Sequence, residues 1–249
     1  MRLSASRIAS RILFVALTLL PAAAVRAQLI DFETTPGGLT PVDDGILANP
    51  YPIAGPGSVR FFFDANLNDV FDPGVDGLPV LEAAGDDALD GWVNNGLLQG
   101  DIPAAGYAAQ LGDFFLRPLQ PGAVPAPFII DYNTTLAISA LSGEIWDIDG
   151  SPTATEQWQV DVLDAANNLL ATQSSPAGID STLDSAPWTF VFSGLPAGVD
   201  KVRLTFIGTK ASGVGLAFNN FSPFTVAPEP GTALLLGLGL AAMAARRRG

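Results

Sequence analysis

Apolar and polar residues alternate with a period of two over many short segments between residues 29 and 221, and clusters of Gly, Pro, Asn and Asp separate these segments. This pattern predicts β-strands that bury one face. In the clearest example, Trp158, Val160 and Val162 share one face of residues 156–163. The predicted strands are residues 29–33, 58–63, 128–132, 135–141, 156–163, 169–171, 188–192, 202–206 and 215–221.

The arrangement of these strands indicates the fold class. Little helical periodicity is sustained in this region, and one-sided burial is typical of antiparallel sheets. We therefore expect an all-β fold, an antiparallel two-sheet sandwich of jelly-roll type with a single core. Residues 78–98 lack a clear period and are expected to form a short helix or a long surface loop.

The N-terminal end has the three parts of a secretory signal peptide. Three arginines precede an apolar run at residues 12–20, and a stretch of small residues ends at Ala27, just before Gln28. The arginines are Arg2, Arg7 and Arg11. Val25 and Ala27 suit a cleavage site for signal peptidase, so the exported chain is expected to begin at Gln28. A buried N-terminal helix is the alternative, and the arginines disfavour it.

The C-terminal end combines flanking prolines, an apolar span and a basic cluster. Residues 233–245 contain no polar side chain. As a helix they would extend roughly 20 Å, which is shorter than the ~30 Å hydrocarbon core of a bilayer. We expect transient insertion into the inner membrane, with the basic cluster on the cytoplasmic side. Pro228 and Pro230 disfavour helix, so Glu229 would lie on an extended segment that a membrane protease can reach. The alternative is an ordinary tail anchor.

The order of Pro228, Glu229 and Pro230, an apolar span and a final arginine cluster resembles the PEP-CTERM sorting signal, the substrate tag of exosortases. The arginines are Arg246, Arg247 and Arg248. Ala227 is a departure, since Val is more frequent there in this family. The resemblance implies processing by exosortase at the Pro-Glu-Pro motif, removal of the helix and the arginines, and export to the cell surface or extracellular matrix. The predicted domains are a signal peptide at 1–27, an exported β-sandwich domain at 28–225 and a sorting signal at 226–249.

Three segments of the exported domain, residues 30–33, 142–150 and 215–221, are similar to segments of many PEP-CTERM surface proteins. The exported domains of those proteins resemble carbohydrate-binding jelly rolls. This second resemblance implies an extracellular polysaccharide as a partner and identifies no particular ligand.

The two termini hide how acidic the exported domain is. The full chain has 12 basic and 25 acidic residues. Seven of the basic residues and a single acid, Glu229, lie in the terminal segments, so residues 28–226 carry five basic and 24 acidic residues, a formal charge of −19. This charge disfavours binding to nucleic acid or anionic lipid. It favours divalent cations, although solubility alone also explains an acidic surface.

The chain contains no histidine and no cysteine. This composition excludes disulfides, zinc sites of the usual kind, and the Ser-His and Cys-His catalytic pairs. We therefore predict a non-enzymatic protein without catalytic residues.

One acidic, Asn-rich segment is a candidate calcium site. Its oxygen-bearing side chains occupy alternate positions, a spacing that lets a tight loop surround a hard cation as in the EF-hand. The candidate ligands are Asp64, Asn66, Asn68 and Asp72. Two departures distinguish it from an EF-hand: Asp69 replaces the glycine of position six, and Val75 takes position twelve, with Asp76 one residue later. The alternative is a polar turn in which these residues are favoured for local hydrogen bonding.

A second candidate cation site would join the two ends of the exported domain. In jelly rolls that resemble this one, the first and last strands often lie side by side and share a structural calcium. Asp31 and Glu33 would then meet Asn219. The alternative is that these residues face solvent.

Paired carboxylates leave one enzymatic alternative, a glycoside hydrolase. Glu144, Asp147 and Asp149 lie close in sequence around Trp146. Glycoside hydrolysis needs two carboxyl groups about 5 to 10 Å apart, which this spacing permits. We favour exposed turn acids beside a core tryptophan, because chance pairs are abundant among so many acids. Most of the tryptophans are expected in the core.

Overall fold

The computed structural model describes residues 29–53, 56–85, 92, 100–179 and 183–225. The predicted signal peptide and its cleavage site at Ala27 and Gln28 lie outside these residues. The predicted sorting motif and the hydrophobic helix expected at 233–245 also lie outside them. Within the described ranges, no helix is long and apolar enough to cross a membrane.

The described residues form antiparallel strands and one short helix. The strands are β1 (Gly45–Ile46), β2 (Tyr51–Ile53), β3 (Gly57–Phe63), β4 (Val80–Ala83), β5 (Phe114–Arg117), β6 (Phe128–Asn133), β7 (Ile138–Ile148), β8 (Gly150–Ser151), β9 (Ala154–Thr155), β10 (Trp158–Asp164), β11 (Leu169–Ser174), β12 (Leu183–Ser193), β13 (Val199–Phe206) and β14 (Ala217–Thr225). The helix, α1, comprises Ala108–Leu111.

Most of the strands belong to two six-stranded antiparallel sheets. Sheet I has the order β1-β4-β5-β14-β7-β12, sheet II has the order β11-β10-β13-β6-β3-β2, and β8 pairs with β9 in a separate hairpin. From β11 to β14 each successive strand enters the other sheet. Such crossing between two sheets is typical of jelly rolls. The predicted all-β, antiparallel two-sheet sandwich is confirmed.

Aromatic side chains fill the space between the sheets, because period-two alternation directs them to one face of each strand. Phe128 of β6 stacks on Phe218 of β14 with ring centroids 4.3 Å apart. Phe61 and Phe221 pack beside this pair, 5.3 Å from each other. All four rings are at most 2 % exposed. Burying each ring stabilises the fold by roughly 1.5–3 kcal/mol, so this cluster contributes much of the hydrophobic stabilisation.

A second hydrophobic cluster covers part of the outer face of sheet I. Trp146 of β7 packs on Trp92 with ring centroids 6.3 Å apart, and Phe115 of β5 lies 5.1 Å from Trp92. Leu111 of α1 and Ala217 of β14 complete the cluster. The expectation that each sheet is buried on one side is therefore wrong for this part of sheet I. The expectation that most tryptophans are in the core is confirmed.

Several elements differ from the predicted ones. Residues 29–33 form no continuous strand, and Ile30 makes an isolated antiparallel bridge to Phe221. Glu144 and Asp147, expected as exposed turn acids, lie on β7. The alternating pattern gives no signal for β1, β2, β4 and β5, which are only two to four residues long. Of these, β4 lies in the region expected to be a helix or a loop.

One cross-strand row on the outer face of sheet II positions the candidate site. Phe62 of β3 is opposite Ile129 of β6, and Ile129 is opposite Arg203 of β13. Arg203 is in turn opposite Asp161 of β10. Phe62 and Ile129 are fully buried although they face outward. The loop after β3 accounts for this burial, because its Phe71 packs on Phe62 with ring centroids 5.4 Å apart.

Candidate functional site

The loop formed by residues 64–76, named loop 64–76 below, is closed at its base by backbone hydrogen bonds. The N–H of Phe63 donates to the carbonyl of Gly77 at 2.8 Å, and the N–H of Gly77 donates to the carbonyl of Phe63 at 3.0 Å. The N–H of Asp64 donates to the carbonyl of Pro127 at 2.9 Å, just before β6. These bonds fix both ends of the loop on sheet II.

Three of the four predicted calcium ligands meet inside this loop. The Nδ2 atoms of Asn66 and Asn68 each donate to Oδ2 of Asp72, both at 2.7 Å. The fourth predicted ligand, Asp64, is 1 % exposed and accepts the N–H groups of Asn68 at 3.3 Å and Asp69 at 2.7 Å. The side chains of Asn66 and Asn68 therefore converge on one oxygen of Asp72. Asp64 accepts backbone N–H groups of the same loop.

Asp76 also takes part in the loop. In the sequence it comes one residue after position twelve of the EF-hand spacing. Its side chain is buried. Its Oδ1 accepts the N–H of Ala65 at 3.0 Å, and its Oδ2 accepts the N–H of Asp72 at 2.7 Å. Asp76 thus ties the end of the loop to its start. The extra acid just beyond position twelve is the signal in the sequence that indicates this role.

The electrostatics of the loop favour an ionised carboxylate. Hydrogen bonds from Asn66 and Asn68 lower the pKa of Asp72 below its ordinary value. Each Asn side chain can turn its amide through a half rotation and present Oδ1 in place of Nδ2, because the two ends of an amide have nearly the same shape. A cation and the observed hydrogen bonds would use the same Asp72 oxygen. The structure contains the polar turn, in which Asp72 accepts hydrogen bonds from Asn66 and Asn68.

Loop 64–76 is attached to the outer face of sheet II by charged groups. Nη1 of Arg203 contacts Oδ2 of Asp69 at 3.0 Å, and Nζ of Lys201 donates to the carbonyl oxygen of Asp69 at 2.9 Å. Phe71 lies under the guanidinium of Arg60, 4.4 Å from its carbon to the ring centroid. The backbone of Asp69 is left-handed, with φ of 60°, a conformation that these contacts hold in place.

A cavity of about 320 Å³ opens between this loop and sheet II. Arg203 crosses it from Asp69 to Asp161, with Nη2 3.2 Å from Oδ2 of Asp161. Nε2 of Gln159 donates to both carboxylate oxygens of Asp161 at 3.0 Å. The lining residues are Asp64, Leu67, Asp69, Pro127, Gln159, Asp161, Arg203 and Thr205. Sequence reasoning missed this cavity, because its walls come from β10, β13 and a loop far apart in the chain.

Two of the three acids of the enzymatic alternative, Glu144 and Asp147, are buried on β7, whereas Asp149 follows the strand and is half-buried. Glu144 is 6 % exposed and accepts hydrogen bonds from Gln110, Trp146 and Asn220 at 2.7–3.1 Å. Asp147 is also buried. Burial raises the pKa of both carboxyl groups. The favoured interpretation of these two residues as exposed turn acids is therefore wrong, because a covering layer and a bulged strand enclose them.

The ends of the domain do meet, but their polar side chains bind the backbone. The N–H of Ile30 donates to the carbonyl of Phe221 at 2.8 Å. Glu33 accepts the N–H of Asp113 at 2.7 Å, and Nδ2 of Asn219 donates to the carbonyl of Leu111 at 2.6 Å. Glu33 and Asn219 thus hold one segment, residues 111–114. Asp31 accepts the N–H of Glu33 at 3.3 Å, so all three residues of this candidate cation site make hydrogen bonds.

The described fold and site define an antiparallel β-sandwich with an acidic loop and a polar cavity on one sheet. Beyond the described residues, residues 226–248 match the profile of the PEP-CTERM protein-sorting motif. The match includes Pro228, Glu229, Pro230 and the three arginines, so the resemblance seen in the sequence is confirmed. The motif marks an exported protein that exosortase processes and that is sorted to the cell surface. Cleavage between Ala27 and Gln28 stays a prediction.

No curated protein matches the chain. Among solved structures, the chain is similar to the K1 cleaved adhesin domain of Lys-gingipain from Porphyromonas gingivalis, with 13% identity and a TM-score of 0.33, over 81% of this chain and 99% of that one. The K3 cleaved adhesin domain of the same protein gives 12% identity and a TM-score of 0.34, over 74% and 99%. The Stig cyclase Fisc from Fischerella sp. TAU gives 12% identity and a TM-score of 0.38, over 82% and 100%.

Proposed function

We propose that this exported protein is a non-enzymatic surface or extracellular-matrix protein that binds calcium in loop 64–76 and an extracellular polysaccharide in the adjoining cavity. The observation that carries the proposal is the convergence of Asn66, Asn68 and Asp72 in a loop closed at its base. Carboxylate and amide oxygens are the ligands that calcium prefers. The exported domain's formal charge of −19 favours such a cation as well.

The cavity supports the saccharide part of the proposal. Its volume of about 320 Å³ is within the usual range for small-ligand sites. Gln159, Asp161, Arg203 and Thr205 supply donors and acceptors that suit sugar hydroxyl groups. Leu67, 71 % exposed, offers an apolar surface for one face of a sugar ring.

Calcium and saccharide would be coupled through Asp69. This residue belongs to loop 64–76, lines the cavity and forms an ion pair with Arg203 at 3.0 Å. A cation that orders the loop would fix Asp69, and Asp69 would fix the guanidinium that faces a bound sugar. Binding of polysaccharide is therefore expected to depend on calcium.

The non-enzymatic part of the proposal rests on chemistry and on contacts. The chain has no His or Cys. Of the acids that a glycoside hydrolase would need, Glu144 is held by three hydrogen-bond donors and Asp147 by the N–H of Ser185. Groups held in this way serve the packing of β7, α1 and β12.

Calcium binding is tested by titration calorimetry on the full-length chain in mild detergent after treatment with EGTA. We expect Asp72→Asn to lose the calcium equivalent bound by loop 64–76. Asp164→Asn is the matched control, because Asp164 makes similar Asp–Asn hydrogen bonds with Asn168 in an exposed turn. Calcium at about a hundred times its Kd should raise the Tm of the wild type by roughly 5–10 °C. Equal calcium binding by Asp72→Asn and the wild type would refute the loop as a site.

Saccharide binding is tested on a glycan array with the labelled full-length chain, in calcium and in EGTA. We expect binding in calcium only, and its loss in Gln159→Ala and Thr205→Ala. Thr189→Ala, at an exposed position on β12 of the other sheet, is the control and should bind as the wild type does. An array without any bound glycan in calcium would refute the saccharide assignment, and equal binding in EGTA would refute the coupling.

A further inference from the structure

A carboxylate cluster lies in sheet I where β12 pairs with β7, on the opposite sheet from loop 64–76. The register between these strands shifts between Leu183 and Pro187, which marks a bulge. Three aspartates at this bulge each bring one carboxylate oxygen within 4.8 Å of the other two. They are Asp147, Asp149 and Asp184.

Asp147 is held in a fixed position with one oxygen unused. It is 3 % exposed, and its Oδ1 accepts the N–H of Ser185 at 2.8 Å. Its Oδ2 receives no hydrogen bond from the residues that the structure describes. This oxygen lies against Gly215, where a Cβ atom would overlap it. Oγ of Ser185 accepts a hydrogen bond from Nε1 of Trp92 at 3.0 Å, so an indole adjoins the cluster.

Glu156, which shares Lys210 with Asp149, adds a further buried carboxylate beside the cluster. It is fully buried, and its N–H donates to the carbonyl of Asp149 at 3.0 Å. Nζ of Lys210 lies 2.6 Å from Oε1 of Glu156 and 3.1 Å from Oδ1 of Asp149. Oε2 of Glu156 is buried and has no hydrogen-bond partner within the described part of the chain. Glu156 therefore has a buried carboxylate oxygen without a donor, on a side chain that Lys210 joins to Asp149.

The charges at this site do not balance. Four carboxylates, those of Asp147, Asp149, Asp184 and Glu156, belong to this site, and the ammonium group of Lys210 contacts two of them, Asp149 and Glu156. If all are ionised, three negative charges are left without a partner in the described residues. An unpaired buried charge is unfavourable, and a bound cation would offset it.

We propose that Asp147, Asp149 and Asp184 bind a divalent cation of the calcium class at the β7–β12 bulge. All the donors are oxygen atoms, which calcium accepts in flexible geometry, and the chain has no His or Cys to suit zinc. Asp149 and Asp184 are half-buried and give access from solvent, so water can complete the coordination. The cation would join the two strands where the bulge interrupts their hydrogen bonds.

Terbium, a luminescent substitute for calcium, gives a test specific to this site. Trp92 adjoins the cluster through Ser185, so excitation of tryptophan in the full-length chain should produce terbium emission that excess calcium removes. We expect Asp184→Asn to abolish most of this emission and to bind calcium at this site roughly tenfold or more weakly. In EGTA the same variant should have a Tm at least equal to that of the wild type, because it removes one repulsive charge.

The proposed cation site in loop 64–76 and the one at the β7–β12 bulge can be tested independently of each other. Asp72→Asn should lose the loop equivalent and keep the tryptophan-excited emission, whereas Asp184→Asn should do the reverse. Asp164→Asn is the control for both. If Asp184→Asn is unfolded by circular dichroism, Asp149→Asn replaces it. Unchanged emission and unchanged calcium stoichiometry in the folded variant would overturn the bulge site and leave the loop site standing.

Discussion

At the scale of single residues, a buried ion pair in sheet I sets a pH dependence. Oε2 of Glu82 on β4 accepts a hydrogen bond from Nε of Arg117 on β5 at 2.5 Å, and Arg117 also pairs with Asp44. Oε1 of Glu82 is buried without a hydrogen-bond partner among the described residues. Burial raises the pKa of Glu82 from 4.5 to about 7; its contacts with Arg117 oppose this shift, and the charges of Asp43 and Asp101 add to it.

We expect the free energy of unfolding to fall as pH rises from about 4.5 to about 7. The folded protein holds the Glu82 proton more tightly than the unfolded chain does, so raising the pH through this window favours the unfolded chain. The shift corresponds to roughly 3 kcal/mol. Urea unfolding between pH 5 and 8 should show that Glu82→Gln gains stability relative to the wild type as pH rises.

The exposed residue Asp113 provides the control for this measurement. Asp113→Asn should follow the pH profile of the wild type. Parallel profiles for Glu82→Gln and the wild type would show that Glu82 does not titrate in this window.

The buried network around Glu144 leads to a prediction about catalysis. Because Gln110, Trp146 and Asn220 already bind this carboxylate, we expect the purified chain to release no reducing sugar from polysaccharides above the buffer blank. Glu144→Gln and Asp147→Asn should give the same result. Hydrolysis by the wild type that both substitutions abolish would establish the glycoside hydrolase alternative.

At the scale of elements, the packing of β7 against its neighbours depends on a glycine. Gly143 faces the inter-sheet core, and a Cβ atom added there would overlap the rings of Phe221 and Phe190. The strand therefore needs the smallest residue at this position for β14 and β12 to pack their aromatic rings over it.

We expect Gly143→Ala to lower the free energy of unfolding by roughly 1–3 kcal/mol through overpacking. Ser142→Ala, at the neighbouring half-buried position of β7, is the control and should change the stability little. Thermal unfolding followed by circular dichroism would measure both. A Tm for Gly143→Ala at or above that of the wild type would mean that the rings can move aside.

The elements also show which local signals are reliable. Long alternating runs such as β10 were predicted close to their observed limits, because seven residues of alternation allow few other structures. β1, β2, β4 and β5 were not predicted, because their form depends on pairing with distant strands. The predicted strand at 29–33 is reduced to a bridge at Ile30, since only that residue reaches β14.

At the scale of the whole molecule, the sorting motif predicts a processing defect. Glu229→Ala, or deletion of residues 246–248, should leave the precursor unprocessed, because we expect exosortase processing to require both the Pro-Glu-Pro motif and the arginine cluster. Intact mass of the protein recovered from the membrane and from the cell surface would measure this. Ala227→Val, which introduces the residue more frequent in the motif, should be processed as the wild type is. Normal processing of both defective variants would contradict the sorting role.

The sequence by itself determined the properties that depend on neighbouring residues or on composition. Residues 226–248 are read as a linear motif, so the sorting signal was recognised without tertiary structure. Period-two alternation predicted the two-sheet sandwich, because a strand that buries one face alternates apolar and polar residues. The missing His and Cys excluded whole classes of chemistry. The spacing of Asp64, Asn66, Asn68 and Asp72 predicted a candidate calcium-binding loop, because these four ligands lie within nine residues of sequence.

Only the tertiary structure decided which distant residues meet. Asp69 pairs with Arg203, Trp92 bonds Ser185, and Lys210 joins Asp149 to Glu156. Each contact joins segments more than fifty residues apart, so no local pattern encodes it. The burial of Glu144 and Asp147 is of the same kind, because it depends on residues 92 and 108–111 covering sheet I. The cavity and the carboxylate cluster therefore follow from strand pairing and from the bulge, which a one-dimensional pattern does not specify.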